Sequence, residues 1–155
     1  MNQTYYEMLS SEFNAKREML MQEGQTVNMC ECMFLGYALD CLRLADEQFQ
    51  MALDGSEASL KQFDEILRAA HEAYLKGELK EADLDEFAKL FAGYAGVVFI
   101  QLLGGVWTYA QDEVGQVAPA IDFNGNHLFM VGKMANFIVH GERYFDFYQW
   151  VKENQ

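Results

Sequence analysis

The chain has 155 residues, 51% of them hydrophobic, and one proline, which predicts a single globular domain with a sizeable core. Its 24 Asp and Glu against 11 Lys and Arg give a formal net charge of −13. This charge repels phosphate backbones and anionic lipids, so it argues against nucleic acid or a membrane as partner and favours a basic protein. The N-terminus lacks a basic segment followed by an apolar run, so we expect no secretory signal and a cytoplasmic location.

The first two predicted helices span residues 3–22 and 27–50, where apolar side chains recur every three or four residues. Gly24 is expected to end the first helix, and Thr26 is a plausible N-cap of the second. The chain therefore begins with two helices joined by a short turn.

All three cysteines lie in the second predicted helix. Cys30 and Cys32 would project about 200° apart and could not share a metal ion. Cys30 and Cys41 share a face but would lie about 16 Å apart along the axis, too far for a disulfide. We predict that all three pack in the core of a protein from a reducing compartment, and a zinc site would require this segment to be non-helical.

The third predicted helix follows a turn and ends at Gly77. Asp54 and Glu57 have the spacing of a capping box, in which the side chains of Ncap and N3 satisfy each other's backbone N–H groups. Ser56 is the alternative cap. The sequence therefore leaves the start of this helix open between two neighbouring residues.

The fourth predicted helix begins near Asp83, with Glu86 at N3 of a second capping box. It leads into an uncharged stretch, Leu90–Gln111, which is nominally long enough to cross a bilayer. However, Gly104 and Gly105 predict a helix stop that leaves about 14 uncharged helical residues, or roughly 21 Å. A hydrocarbon core is about 30 Å thick, so we predict a central core helix rather than a membrane span.

A small antiparallel sheet is predicted next, with strands over residues 106–111, 116–123 and 126–131. Asn124-Gly125 is a strong signal for a two-residue hairpin turn. Pro119 cannot donate to a strand ladder, so we expect its strand to have a free edge there, and such an edge can accept a partner strand.

Two short helices, broken at Gly141, are predicted to close the chain. The second is rich in aromatic residues: Tyr144, Phe145, Phe147, Tyr148 and Trp150. These rings either cap the sheet or form an exposed protein-binding patch. The fold class is therefore predicted as α+β in one domain, with a helical region (1–105), a three-stranded β-meander (106–131) and C-terminal helices (132–153).

Three stretches, 53–67, 91–107 and 132–148, resemble in their order an uncharacterised bacterial α+β domain family. The family pattern is an Asp-x-Ser helix, a Tyr-x-Gly-Glu helix ending in Gly-Gly-x-Trp, a hairpin, and C-terminal helices with Lys and Gly-Glu. The positions that fit it are Tyr94, Gly96, Gly104, Gly105, Trp107, Lys133, Gly141 and Glu142. Val97 stands where the family has Glu. The resemblance implies an α+β domain of bacterial or mobile-element origin, and it implies no activity.

The sequence shows no pattern that indicates catalysis. It has no Gly-x-Ser-x-Gly, no phosphate-binding glycine loop and no His-Glu-x-x-His, and its three histidines are scattered. We therefore predict no catalytic residue, no metal site and no cofactor. The residues predicted to bind a partner are two acidic sets and two aromatic rings: Glu78, Glu81, Asp83, Asp85 and Glu86, then Asp112, Glu113 and Asp122, with Tyr148 and Trp150.

These features favour a non-enzymatic acidic protein-binding domain, specifically an immunity protein that neutralises a basic bacterial toxin. One alternative is a nucleic-acid mimic that inhibits a DNA-binding protein. Another is a small-ligand or enzymatic domain with a pocket near Trp107, in which Tyr94, Gln101 or His127 supply polar groups. A fourth is a homodimer joined through the free strand edge and the C-terminal aromatic rings.

Overall fold

A small sheet packs against a larger group of helices. The computed structural model describes residues 1–24 and 26–155 and has the α+β architecture that the sequence predicts. The helices in these ranges are α1 (Gln3–Leu20), α2 (Met29–Phe49), α3 (Ser59–Leu75), α4 (Glu81–Leu103), α5 (Met130–His140) and α6 (Tyr144–Glu153). The strands are β1 (Val106–Gln111), β2 (Val117–Phe123) and β3 (Asn126–Leu128).

Helices α2 and α4 form the centre of the core, and glycines on α4 set their spacing. A Cβ atom at Gly93 would lie 2.6 Å from the backbone nitrogen of Ala38 in α2. A Cβ at Gly96 would lie 2.3 Å from Cζ2 of Trp107, whose ring stacks on Phe34 at a centroid distance of 4.3 Å. The first strand therefore docks on α2 and α4 through Trp107.

Helix α4 is long and apolar enough, by length and composition, to cross a membrane, yet 56% of its most apolar window is buried inside the fold. Every residue of the segment 91–99 is buried, and α4 packs against α2 and α5. The helix ends at Gly104, as predicted, where φ is 99°. Helix α4 is thus a central core helix in this structure.

All three cysteines lie on α2 as buried free thiols. Cys41 is fully buried, and Cys30 lies beneath the sheet with its Sγ 3.4 Å from the carbonyl oxygen of Thr108. The prediction that the three cysteines pack in the core is confirmed.

The sheet is an antiparallel meander in the order β1-β2-β3. Asn124 and Gly125 form the predicted turn with φ of 49° and 80°, as a two-residue hairpin with positive φ at both positions requires. The third strand is shorter than the predicted 126–131, because it ends at Leu128 and the chain enters α5 at Met130.

This early end of β3 leaves one side of β2 open. The backbone N–H and C=O groups of successive residues in a strand point alternately to its two sides. The two residues that flank a two-residue turn, here Phe123 and Asn126, are hydrogen-bonded to each other, so the groups of Phe123 face β3. Ile121 and Pro119 therefore face the β3 side, but β3 reaches only as far as Ile121. The predicted free edge at Pro119 is confirmed.

The N-cap of α2 is Asn28, so the prediction of Thr26 is wrong. Asn28 Oδ1 accepts a hydrogen bond from the Glu31 amide at 3.0 Å, and its Nδ2 donates to the Trp107 carbonyl at 2.8 Å. One side chain therefore caps a helix and binds the outer edge of β1. This second bond selects Asn28 over Thr26, and it spans 79 positions of sequence.

We expect Asn28→Ala to lower the free energy of unfolding by about 1–2 kcal/mol, because it removes both a helix cap and a bond to β1. Thr26→Ala is the control, and its effect should stay within about 0.5 kcal/mol because Thr26 is exposed. Urea unfolding followed by circular dichroism measures both. Equal losses would show that Asn28 has no special role.

The predicted capping box of Asp54 and Glu57 is also wrong. Asp54 accepts hydrogen bonds from the amide and hydroxyl of Ser56, whose own Oγ accepts from the Ser59 amide at 3.1 Å. Ser56, the alternative cap in the sequence, is therefore the residue that bonds the start of α3. Glu57 turns away from α3 and binds α6 instead.

The start of α4 differs from the prediction by two residues. The helix begins at Glu81, and Asp83 is N3 rather than the N-cap. Its carboxylate accepts a hydrogen bond from the Lys80 amide at 3.1 Å. Glu86 consequently lies beyond the first turn and caps nothing.

Helix α6 is bound to α3 at its start and to the turn that precedes α3 further along. Near its start, the buried carboxylate of Asp64 accepts hydrogen bonds from the amides of Tyr144 at 2.8 Å and Phe145 at 3.2 Å. Further along, the Tyr148 hydroxyl donates to Glu57 at 2.7 Å. The rings of α6 therefore pack on α3 and α5. The prediction that they cap the sheet is wrong.

Candidate functional site

A cleft of about 830 Å³ opens between α2, α5 and the loop that joins β1 to β2, and we call it the α2–α5 cleft. It forms where β3 leaves β2, so that the open side of β2 at Pro119 becomes part of its wall. Apolar side chains supply much of the remaining surface: Met33, Phe34, Leu128, Phe129 and Val131. Both the early end of β3 and the proline thus shape this cleft.

Two lysines line the helical side of the α2–α5 cleft. Lys89 of α4 forms an ion pair with Asp85 at 2.9 Å. Lys133 of α5 is half-buried and forms no ion pair with any described residue, and its Nζ lies 4.4 Å from the ring centroid of Phe147. Burial lowers the pKa of Lys133 below its usual value. Lys133 therefore gives the cleft a cation that no acid of the described chain neutralises.

Two acids lie on the opposite side of the α2–α5 cleft, in the loop between β1 and β2. Asp112 Oδ1 accepts hydrogen bonds from the amides of Val114 and Gln116 at 3.0 and 2.9 Å, which orders the loop. Glu113 is exposed at the loop's end. The cleft therefore has a basic wall on the helices and an acidic wall on the loop, as far as its described residues show.

A second, shallower hollow of about 480 Å³ adjoins the cleft and shares Met33 and Tyr37 with it. Its exposed apolar residues form a surface that we call the methionine face: Leu20, Met29, Met33 and Tyr109. Met29 is 54% exposed and Tyr109 is 49% exposed. No motif in the sequence points to these residues, although exposed methionines on α2 follow from its helical spacing.

The predicted acidic residues are exposed, except for the partly buried Asp112, and they do not form one site. Asp85 reaches the α2–α5 cleft through its ion pair with Lys89, and Asp112 and Glu113 line it directly. Asp122 is exposed on β2, opposite His127 of β3. The remaining four lie on the turn before α4 and on its first two turns: Glu78, Glu81, Asp83 and Glu86.

The predicted aromatic patch on α6 is reduced to one ring. Trp150 is 63% exposed, whereas Tyr148 is 1% exposed. The prediction that Tyr148 contacts a partner is therefore wrong, because its ring lies in the core and its hydroxyl is bound to Glu57. Burial and the neighbouring Glu57 carboxylate raise the pKa of Tyr148.

The three polar residues predicted around a pocket near Trp107 are not brought together. Tyr94 is buried in the core, with its hydroxyl bonded to Ser59 and to the Gly55 amide. Gln101 lines a separate hollow of about 210 Å³ beside Trp107. His127 lies at the α2–α5 cleft instead.

Residues 1–24 and 26–155 contain no group of three His, Cys, Asp or Glu side chains that could hold a metal ion. The chain matches no protein family, no curated protein and no solved structure. The resemblance to a bacterial α+β domain family therefore stays a prediction.

Proposed function

We propose that the protein is a non-enzymatic acidic binding protein, and specifically an immunity protein that neutralises a basic bacterial toxin by covering part of its surface. The observation that carries this proposal is the methionine face, which lies beside the acidic β1–β2 loop on a strongly acidic protein. An apolar centre with a charged rim is the usual anatomy of a protein–protein interface.

The methionine face suits a partner's apolar side chains. Met29 and Met33 are flexible and polarisable, so they adapt to an incoming surface, and Tyr109 adds a large ring with a polar end. Exposed apolar residues that cluster in this way mark interaction sites more often than residues scattered singly. We expect these side chains to supply most of the affinity.

The acidic residues suit a basic partner. Asp112 and Glu113 lie on the loop that follows the strand of Tyr109, and the net charge of −13 attracts cations over a longer range. The exposed acids on the turn before α4 and on its first two turns, including Glu78, Glu81 and Glu86, add to this field. Charges of this kind raise the association rate more than they raise the final affinity.

The first experiment identifies the partner by affinity capture from a host lysate at low and moderate salt, and then measures its binding to purified variants. Met29→Ser combined with Tyr109→Ser is expected to weaken binding at least tenfold, through faster dissociation. The control, Leu75→Ser, removes an apolar residue that is 68% exposed on α3, and it should change the dissociation constant less than about twofold.

Charge reversal at Glu113 is expected to slow association and to flatten its dependence on salt, with little change in the dissociation rate. The immunity role is tested separately, by asking whether co-expression protects cells from the captured protein. Unchanged binding in the Met29 and Tyr109 variant would remove the methionine face from the proposal. If DNA and this protein compete for the same site on the partner, the alternative function, a nucleic-acid mimic, would be favoured.

A further inference from the structure

Lys133 stands alone in an apolar part of the chain. It is the one Lys, Arg, Asp or Glu between Asp122 and Glu142. Other helical lysines pair with carboxylates, as Lys89 does with Asp85 and Lys152 with Glu57. Lys61 on α3 is the exposed counterexample, since it lies over the ring of Phe145. In a protein with more than twice as many acids as bases, a half-buried lysine without an acid is unexpected.

An aromatic ring on one side of Lys133 stabilises its ammonium group. The ring of Phe147 lies 4.4 Å from Nζ, which is within the range of a cation–π contact. The described residues supply no hydrogen-bond acceptor for Nζ, and the residue lines the α2–α5 cleft. Its N–H donors therefore have no partner among the described residues, and the flexible lysine stem can turn them towards an acceptor inside that cleft.

The size and surface of the cleft suit a small molecule. Ligand sites typically enclose about 300–1,000 Å³, with mostly apolar walls and a few polar groups that fix orientation. The α2–α5 cleft, of about 830 Å³, has this character: Met33 and Phe34 lie on one wall and Leu128 and Phe129 on another, with Lys133 beside them. An apolar body with one anionic end would satisfy both kinds of surface.

The acids and lysines around the cleft favour a ligand with a single negative charge. Lys89 is already paired with Asp85, so one free cation remains on the helical wall among the described residues. Asp112 and Glu113 on the opposite wall would repel a second carboxylate. An amphipathic monoanion is favoured over a dicarboxylate or a phosphate.

We infer that the α2–α5 cleft binds a small amphipathic monocarboxylate, whose carboxylate pairs with Lys133 and whose apolar body lies against Met33 and Phe129. This site differs from the methionine face, although Met33 belongs to both. The inference goes beyond the proposed function and does not depend on it.

The test uses three probes with the same apolar body: phenylbutyrate, phenylbutanol and phenylbutylamine. Isothermal titration calorimetry on the full chain should give a dissociation constant on the order of 0.1–1 mM for phenylbutyrate. Phenylbutanol should bind about tenfold more weakly and phenylbutylamine more weakly still, because the amine meets Lys133. Amide chemical shifts should change around residues 127–136 and in α2 near Phe34.

Lys133→Gln is expected to weaken phenylbutyrate binding about tenfold and to leave phenylbutanol binding unchanged. Lys76→Gln, an exposed lysine after α3, is the matched control and should change neither. If Lys133→Gln fails to fold, Lys133→Arg keeps the charge and should still prefer phenylbutyrate to phenylbutanol. The inference is overturned if phenylbutyrate does not bind, if the amine binds as well, or if Lys133→Gln binds like the original protein.

Discussion

Replacing Asp64 with alanine is expected to lower the free energy of unfolding by about 2–4 kcal/mol, the largest loss we expect from one side chain outside the apolar core. The carboxylate of Asp64 is buried and accepts hydrogen bonds from the amides of Tyr144 and Phe145. Without this carboxylate, the two N–H groups at the start of α6 lose their hydrogen-bond acceptor. The buried ring of Tyr144 still keeps the start of α6 away from water, so water cannot replace that acceptor. Thermal unfolding should show a decrease of roughly 5–10 °C.

The cost of Asp64→Ala is also expected to depend on pH. Burial raises the pKa of Asp64 from its usual 3.8 to about 6, against the opposing effect of the two amide donors. The folded protein therefore binds this proton more tightly than the unfolded chain does. The stability linked to Asp64 is fully present below about pH 4 and is lost as the pH rises through about 6.

The measurement compares the original protein with Asp64→Ala in urea between about pH 4 and pH 7, where their difference should shrink as the pH rises. Subtraction cancels the titration of the distant acids. Asp64→Asn is the control, since it keeps one acceptor, cannot ionise, and should remove the pH dependence while losing less stability. A difference that grows with pH would mean that the amide donors outweigh burial and lower the pKa.

Gly93→Ala is expected to destabilise the protein by about 2–3 kcal/mol, although alanine favours helices more than glycine does. The added Cβ would lie 2.6 Å from the backbone nitrogen of Ala38 and 2.7 Å from Cβ of Tyr37. Backbone atoms cannot move aside as a flexible side chain can, so α2 and α4 would have to separate at the centre of the core. That separation would also loosen the packing around them.

Gly132→Ala is the matched control, because Gly132 is also a helical glycine but no atom lies within 4 Å of its added Cβ. This change should stabilise the protein by about 0.5–1 kcal/mol through helix propensity. Urea unfolding of both variants gives the comparison. If both substitutions changed the free energy of unfolding in the same direction, the close approach of α2 to Gly93 would not explain the effect of Gly93→Ala.

The sequence predicts the helices well because their apolar periodicity is local, and it fails at helix ends because distant contacts decide them. Asn28 becomes the cap of α2 by also binding the carbonyl of Trp107. Glu57 leaves the predicted capping box because Tyr148 and Lys152 of α6 bind its carboxylate. Neither contact can be read from the residues around the cap.

The mistaken prediction for Tyr148 had a local signal that would have prevented it. Tyr144, Tyr148 and Val151 lie at helical spacing and are all buried, whereas Trp150 falls outside this series and is exposed. Counting the aromatic residues hid this spacing. The exposure of Trp150 was therefore predictable, and so was the burial of Tyr148 on the other face of α6.

The α2–α5 cleft was beyond prediction from local patterns. Its walls come from α2, α4, α5, β2, β3 and the β1–β2 loop, which are far apart in sequence. One signal did exist, since Lys133 interrupts a long run without Lys, Arg, Asp or Glu. A single charged residue in such a run lies either on an exposed helix face or in the wall of a cavity. The contacts of β3 and α5 determine which of the two applies to Lys133.

Pro119 has a consequence for how the protein behaves at high concentration. An open strand side normally offers N–H and C=O groups that template sheet growth from one molecule to the next. On the open side of β2, the next backbone N–H after Ile121 would belong to residue 119, which is proline and has none. An incoming strand would therefore find the carbonyl oxygen of Pro119 but no N–H group beside it. The proline that lines the cleft thereby makes this edge a poor template for sheet growth between molecules.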